Sequence, residues 1–132
     1  MLLDTSAWVE YFESSKEGAQ VKNILKNYAC YTSVISLAEI TLWCKKNNAD
    51  AEAFLKTIKN NSILVPLGKN EAELAGYINF ESKKRNKKFG MVDSLIIATA
   101  RILNLNVLTK DNDFKEFEEC ILLKNLNDNG AE

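Results

Sequence analysis

Short apolar runs alternate with longer helical patterns along almost the whole chain, and this alternation sets the fold class. Leu2-Leu3, Ala29-Cys30-Tyr31, Ser62-Ile63-Leu64-Val65, Asn106-Val107-Leu108-Thr109 and Cys120-Ile121-Leu122-Leu123 read as strands. Helices are predicted over 6–14, over 17–27 with Ala19, Val21, Ile24 and Leu25 on one face, from a Ser33 cap to Lys46, and after an Asp50 cap. A long helix is predicted from Asn70, with Glu73 placed to complete its cap, and Gly90 ends that helix or the loop after it. A strongly apolar helix over 92–103 and a short one over 114–117 complete the set. Strands separated by helices pair in parallel through right-handed crossovers. These strands lack polar alternation, as strands do when helices cover both faces. The expectation is a three-layer α/β/α domain around a parallel sheet of about five strands. With 132 residues, one proline and five scattered glycines, the chain reads as a single domain over 1–132, with a fraying tail over 125–132.

Composition then narrows the chemistry. The chain has no histidine, which removes Ser-His-Asp and Cys-His nucleophiles, a histidine general base and His-ligated zinc or iron. Cys30, Cys44 and Cys120 are odd in number and lack C-x-x-C spacing, so neither a disulfide framework nor a cysteine zinc site is expected. They read as small apolar core residues in a reducing, cytoplasmic protein. No apolar run reaches membrane-spanning length and no signal-peptide pattern is visible at Met1-Leu2-Leu3-Asp4. Lys+Arg is 17 against 18 Asp+Glu, so a polyanionic partner must be argued from where charges sit.

Four acids occupy unusual places. Asp4 directly follows the first strand, and Asp111 follows the fourth, with Asp113 two residues later. Glu39 and Asp93 lie in helices that are otherwise almost wholly apolar. Each has a structural explanation: Asp4 and Asp93 as helix caps, Asp111 and Asp113 as turn residues. Glu39, in mid-helix, is the hardest to explain that way. In a doubly wound sheet, ligands bind beyond the carboxyl ends of the strands where strand order reverses. If the first and fourth strands are neighbours, Asp4 and Asp111 share that crevice, and Glu39 and Asp93 can point into it. Four carboxylates about 5 Å apart would repel by roughly 20 kcal/mol in sum at an effective dielectric of about 20. Such a cluster must protonate, recruit a basic side chain or bind a cation. An all-oxygen donor set favours Mg²⁺ or Mn²⁺ over zinc.

Leu3-Asp4-Thr5-Ser6-Ala7-Trp8, Ser36-Leu37-Ala38-Glu39-Ile40, Met91-Val92-Asp93-Ser94-Leu95-Ile96-Ile97-Ala98-Thr99-Ala100 and Val107-Leu108-Thr109-Lys110-Asp111-Asn112-Asp113-Phe114 resemble, in order, the four motifs of PIN-domain ribonucleases. The nearest likeness is to VapC-type toxins of toxin–antitoxin pairs. The resemblance implies sheet order 3-2-1-4-5 and Mg²⁺-dependent endonuclease cleavage of single-stranded or loop RNA. Hydrolysis by metal-activated water leaves 5′-phosphate and 3′-hydroxyl ends, whereas attack by the RNA's own 2′-hydroxyl leaves cyclic phosphate. Asp4, Glu39, Asp93 and Asp111 match the family's acidic quartet. Two-ion chemistry gives the expectation that Asp4 and Asp93 are the principal ligands, with Glu39 and Asp111 binding a second ion or orienting water. Ser6 and Thr109 match supporting hydroxyl residues. Asp113 either replaces or assists Asp111, and both readings stay open. Divalent-ion chemistry needs no histidine, since an ion can activate water and neutralise charge on the leaving oxygen.

Lys83, Lys84, Arg85, Lys87 and Lys88 cluster just before the Asp93 helix. They read either as a solvated helix end favoured by the macrodipole or as an RNA-phosphate edge. Lys110 reads as a phosphate contact or an exposed turn residue. The resemblance also implies a homodimer and a small antitoxin captured along an apolar groove, for which Trp8, Tyr11, Trp43 and the Phe54 helix are the candidates. Competing functions are a PIN-type RNA-processing or decay nuclease with no antitoxin and a non-catalytic RNA-binding module. A receiver domain lacks its acidic pair and phospho-acceptor here, and a D-x-D phosphatase is excluded by Ser6.

Overall fold

The computed structural model describes residues 1–123. Five parallel strands lie in the order β3-β2-β1-β4-β5. These are β1 (Leu2–Leu3), β2 (Tyr31–Ser33), β3 (Ile63–Val65), β4 (Val107–Thr109) and β5 (Cys120–Leu122). The helices are α1 (Thr5–Phe12), α2 (Lys16–Asn27), α3 (Val34–Lys46), α4 (Ala51–Asn61), α5 (Lys69–Lys83) and α6 (Met91–Leu103), with a 3₁₀ turn at Asn112–Phe114. The expected three-layer architecture and strand order are both present. The tail expected to fray over 125–132 lies outside the described residues.

Side-chain alternation along very short strands builds the two cores. Leu2 and Val107 pack toward α5 and α6 with Ala75, Ile78, Ile96 and Ile97. Leu3 and Leu108 pack on the opposite face with Trp8, Val21, Ile40 and Ile58, under α1 to α4. Leu2 pairs with Val107 and Leu3 with Leu108, so β1 is as long as its two-residue ladder requires. The backbone extends that ladder at both ends, through Leu2 N–H to Asn106 O at 2.8 Å and Asp4 N–H to Leu108 O at 3.0 Å. Strands 1, 2 and 3 step one way and strands 4 and 5 the other, which puts the reversal between β1 and β4.

Several expectations shift for identifiable reasons. The second strand lies at Tyr31–Ser33 and not at Ala29–Tyr31. Its polar residues are buried at no net loss because Thr32 Oγ1 accepts from Trp8 Nε1 at 3.1 Å and pairs with Ser62 Oγ at 2.8 Å. Ser33 both ends the strand and caps α3, accepting from Ile35 N–H. Helix α5 starts one residue before Asn70, and Glu71, not Glu73, accepts the Gly68 N–H at 2.7 Å. Of its two expected places Gly90 takes the second, ending the loop after α5, where it is the N-cap of α6. The short helix expected over 114–117 is instead the 3₁₀ turn ending at Phe114. Trp8 is 0% exposed, so it is a core residue and not part of a docking groove. Cys30 and Cys44 are buried in the core as expected, while Cys120 is half-buried.

Candidate active site

The carboxyl ends of β1 and β4 carry Asp4 and, two residues past Thr109, Asp111. Asp4 occupies the N-cap position of α1, yet its side chain makes no capping bond. Its Oδ2 accepts hydrogen bonds from Ser6 Oγ and Thr109 Oγ1, each at 2.9 Å. The two hydroxyls lie 3.0 Å apart. Ser6 Oγ also accepts from Lys110 N–H at 2.9 Å, and Thr109 Oγ1 accepts from Asp111 N–H at 3.0 Å. Ser6 and Thr109 therefore fix Asp4 and the start of the next loop as one unit. Asp4 is only 6% exposed. Burial pushes its carboxyl above the usual carboxylate value, against the lowering effect of the Thr109 and Ser6 hydrogen bonds.

Asp4, Glu39, Asp93 and Asp111 line one cleft of about 310 Å³, together with Thr5, Ser6, Val9 and Glu10. Glu39 lies well inside α3, too far along to cap it, and its Oε1 accepts from Thr5 Oγ1 at 2.6 Å. Asp93 sits in the first turn of α6, where Oδ2 accepts the Gly90 N–H at 2.9 Å. The helix-cap reading of Asp93 is thus correct, and it coexists with a place in the cleft. Burial first, then the charges on Asp4, Asp111 and Asp113, push Asp93 up to about 6, while the Gly90 hydrogen bond opposes the rise. Asp111 is likewise a turn residue and a cleft residue, since its Oδ1 accepts the Asp113 N–H at 2.9 Å. Asp113 is turned differently: its Oδ1 accepts from Asn86 Nδ2 at 3.0 Å.

The crowding is milder than four carboxylates about 5 Å apart would give. Among the described residues, no three carboxylates or thiols stand close enough to enclose an ion as they are. For Asp4 and Asp93 alike, burial outweighs repulsion as the cause of the shift. The donor set nevertheless suits a hard divalent ion. It is all oxygen, and the open cleft leaves room for the waters that Mg²⁺ retains when one or two carboxylates bind it.

The basic residues divide by their partners. Lys110 Nζ reaches Glu10 Oε1 at 3.1 Å and Glu17 Oε2 at 3.2 Å, and these bonds raise its pKa. Lys84 pairs with Glu81 and Arg85 with Glu116. Lys83 Nζ donates to the Lys87 carbonyl at 3.1 Å, and Lys87 and Lys88 make no ion pair among the described residues. Thr5, Glu10 and Asn86 are site neighbours that sequence reasoning missed. Thr5 had a visible signal in its hydroxyl beside Asp4. Glu10 and Asn86 had none, because Lys110 and Asp113 are far away in the chain.

A family model describing the PIN domain matches residues 1–119. The chain belongs to the PIN-domain family. Solved structures place this PIN domain among VapC-like folds. A toxin–antitoxin complex from Klebsiella pneumoniae aligns with a TM-score of 0.74 at 21% identity, covering 92% of this chain and 96% of that one. VapBC2 from Rickettsia felis, bound to a DNA fragment from its promoter, gives 0.71 at 20% identity, covering 92% and 95%. VapC20 from Mycobacterium tuberculosis, a toxin cleaving the Sarcin-Ricin loop, gives 0.74 at 18% identity, covering 89% and 94%. No curated protein sequence matches the chain. No helix among the described residues of this PIN domain is long and apolar enough to cross a membrane.

Proposed function

We propose that this PIN-domain protein is an endoribonuclease using Mg²⁺ or Mn²⁺ to hydrolyse phosphodiester bonds in single-stranded or loop RNA. The observation that carries this reading is Asp4, buried and held by Ser6 and Thr109, in one cleft with Asp93, Asp111 and Glu39. PIN domains are generally nucleases, and the acidic residues fit their chemistry. A divalent ion bound there supplies a water of lowered pKa and neutralises charge on the leaving 3′-oxygen. The protein's part is placement. Asp4 and Asp93 would be the principal ligands, and their burial makes ionisation costly without a cation, which strengthens the attraction for one. Glu39, fixed by Thr5, and Asp111, fixed by its own turn, would hold a second ion or orient the attacking water. Asp113 assists Asp111 through its N–H, which donates to Asp111 Oδ1. Lys83, Lys84, Arg85, Lys87 and Lys88 hold the RNA backbone, offsetting its repulsion by the acids. Lys110 braces the loop through Glu10 and Glu17.

The biological role follows the VapBC pattern: a cytoplasmic toxin, dimeric and restrained by a small antitoxin. Support comes from the toxin–antitoxin complexes among the similar structures. Tyr11, Trp43 and Phe54 are half-buried and joined in a row of ring contacts, Tyr11 to Phe12 at 5.4 Å, Phe12 to Phe54 at 4.1 Å and Phe54 to Trp43 at 6.1 Å, and this row is the candidate antitoxin face. A partner's basic side chain reaching the cleft would quench the acids directly.

The test is cleavage of single-stranded and hairpin RNA with Mg²⁺, Mn²⁺ or EDTA, by wild type, Asp4→Asn and Asp93→Asn. Wild type should cut only with a divalent ion and leave 5′-phosphate and 3′-hydroxyl ends. Each variant should lose about 100-fold or more, roughly 2.7 kcal/mol of barrier. Equal cutting by all three proteins, or cyclic-phosphate ends, overturns the site.

A further inference from the structure

The loop over 84–90 carries four of the clustered cations and is fastened at both ends to the acidic wall. At its far end the Gly90 N–H binds Asp93 Oδ2 at 2.9 Å. At its near end Asn86 Nδ2 donates to Asp113 Oδ1 at 3.0 Å. Lys87 and Lys88 lie between these two fastenings, and neither makes an ion pair among the described residues. Asn86 is held on its own side by three further bonds. Its N–H donates to Ser82 O at 2.9 Å, its carbonyl accepts from Phe89 N–H at 3.2 Å, and its Oδ1 accepts from Lys88 N–H at 3.0 Å. The loop touches the same acidic segment twice more. Phe89 packs edge-on to Phe114 at 5.4 Å and stacks on Phe117 at 5.0 Å, and Arg85 pairs with Glu116 at 3.1 Å. The Phe89 contact is core packing and the Arg85 pair is exposed. Only the Asn86 bond ends on a carboxylate residue whose own N–H binds a cleft acid, Asp113 N–H to Asp111 Oδ1 at 2.9 Å.

We propose that Asn86 is a positioning residue that sets the register between the basic loop and the acidic cleft. Its amide locks the loop to Asp113, so a phosphate backbone held by Lys87 and Lys88 is presented at a fixed offset from Asp93 and Asp111. The inference rests on the nuclease reading above. The two halves of the amide have separate duties: Oδ1 shapes the turn through Lys88 N–H, and Nδ2 makes the joint to Asp113. Asn86→Asp therefore separates them. It keeps the acceptor for Lys88 but removes the donor and sets a second carboxylate against Asp113.

The experiment compares wild type, Asn86→Asp, Asp113→Asn and the double variant Asn86→Asp/Asp113→Asn. The double variant restores the hydrogen bond with donor and acceptor exchanged. Affinity for a single-stranded RNA is measured in Ca²⁺ over a range of salt, single-turnover cleavage in Mg²⁺, and hydrogen exchange at Lys88 N–H. Asn86→Asp should leave the affinity within about threefold and Lys88 protected, yet cut bound RNA about tenfold more slowly, since small misplacement is costly in rate. The double variant should cut several-fold faster than Asp113→Asn alone. Cleavage by Asn86→Asp at the wild-type rate overturns the proposal. So does a loss confined to affinity, unprotected Lys88 in Asn86→Asp, or no gain in the double variant over Asp113→Asn. A wild type that neither binds nor cuts RNA overturns the nuclease reading itself.

Discussion

Asp4 and Thr109 are 105 residues apart, and their 2.9 Å contact defines the site more sharply than any local motif. Asp93 shows what such an arrangement costs. Its carboxyl rises from 3.8 to about 6. A carboxyl with a raised folded value binds extra proton in the folded state between those limits. In metal-free protein the contribution of Asp93 to stability is therefore lost as pH rises from about 4 to about 6, and none of it returns above that range. Asp93→Asn keeps an acceptor for the Gly90 N–H and carries no charge. In chelator at about pH 7.5 it should be more stable than wild type by about 1 kcal/mol, since the side chain is only half-buried. Near pH 4 the two should melt together. Thermal melts at both pH values check this, and a less stable variant at about pH 7.5 contradicts it. Asp93 was legible in the sequence as an acid inside an apolar helix. Its double duty as cap and cleft residue was not, because one hydrogen bond to Gly90 does not exclude the other role.

Among the elements, the elbow between α1 and α2 shapes the wall of the cleft that bears Glu10. Gly18 sits where α2 touches the end of α1, and a Cβ there would lie 2.1 Å from the Glu10 carbonyl oxygen. That atom is backbone and cannot rotate away. Gly18→Ala should destabilise the protein by about 3 kcal/mol and displace Glu10 from Lys110. Chemical denaturation measures the first effect, and wild-type stability would show that the helices do not approach so closely. Helix positions were readable from apolar periodicity and from the caps at Ser33 and Asp50. The start of α5 was misplaced because Glu71 and Glu73 both sit near a first turn, and only the Gly68 N–H distinguishes them. The second strand was misplaced because the hydroxyls of Thr32 and Ser33 look solvated in sequence. Their partners, Trp8 and Ser62 for Thr32 and the Ile35 N–H for Ser33, bury them without loss.

At the scale of the whole molecule, charge is nearly balanced, at 17 basic and 18 acidic residues, so its distribution decides what binds. Neutralising Lys83, Lys84, Arg85, Lys87 and Lys88 together should weaken RNA binding and flatten its salt dependence. The log–log slope should fall by roughly 0.7 for each phosphate contact removed. Lys87 and Lys88 should account for more of that change than Lys84 and Arg85, which already face Glu81 and Glu116. Titrations at several salt concentrations measure this, and an unchanged slope would show the loop to be merely solvated. The sequence by itself determined the α/β class, the place of Asp4 and Asp111 at strand ends, and Glu39 and Asp93 within apolar helices. Those features follow from local periodicity, which each segment carries alone. The tertiary structure decided that Asp4 joins α1 to Thr109, that Trp8 is core, that Lys110 is held by Glu10 and Glu17, and that Asn86 reaches Asp113. Each of these depends on pairings between distant segments, which hydrophobic pattern leaves unspecified until β1 and β4 lie side by side.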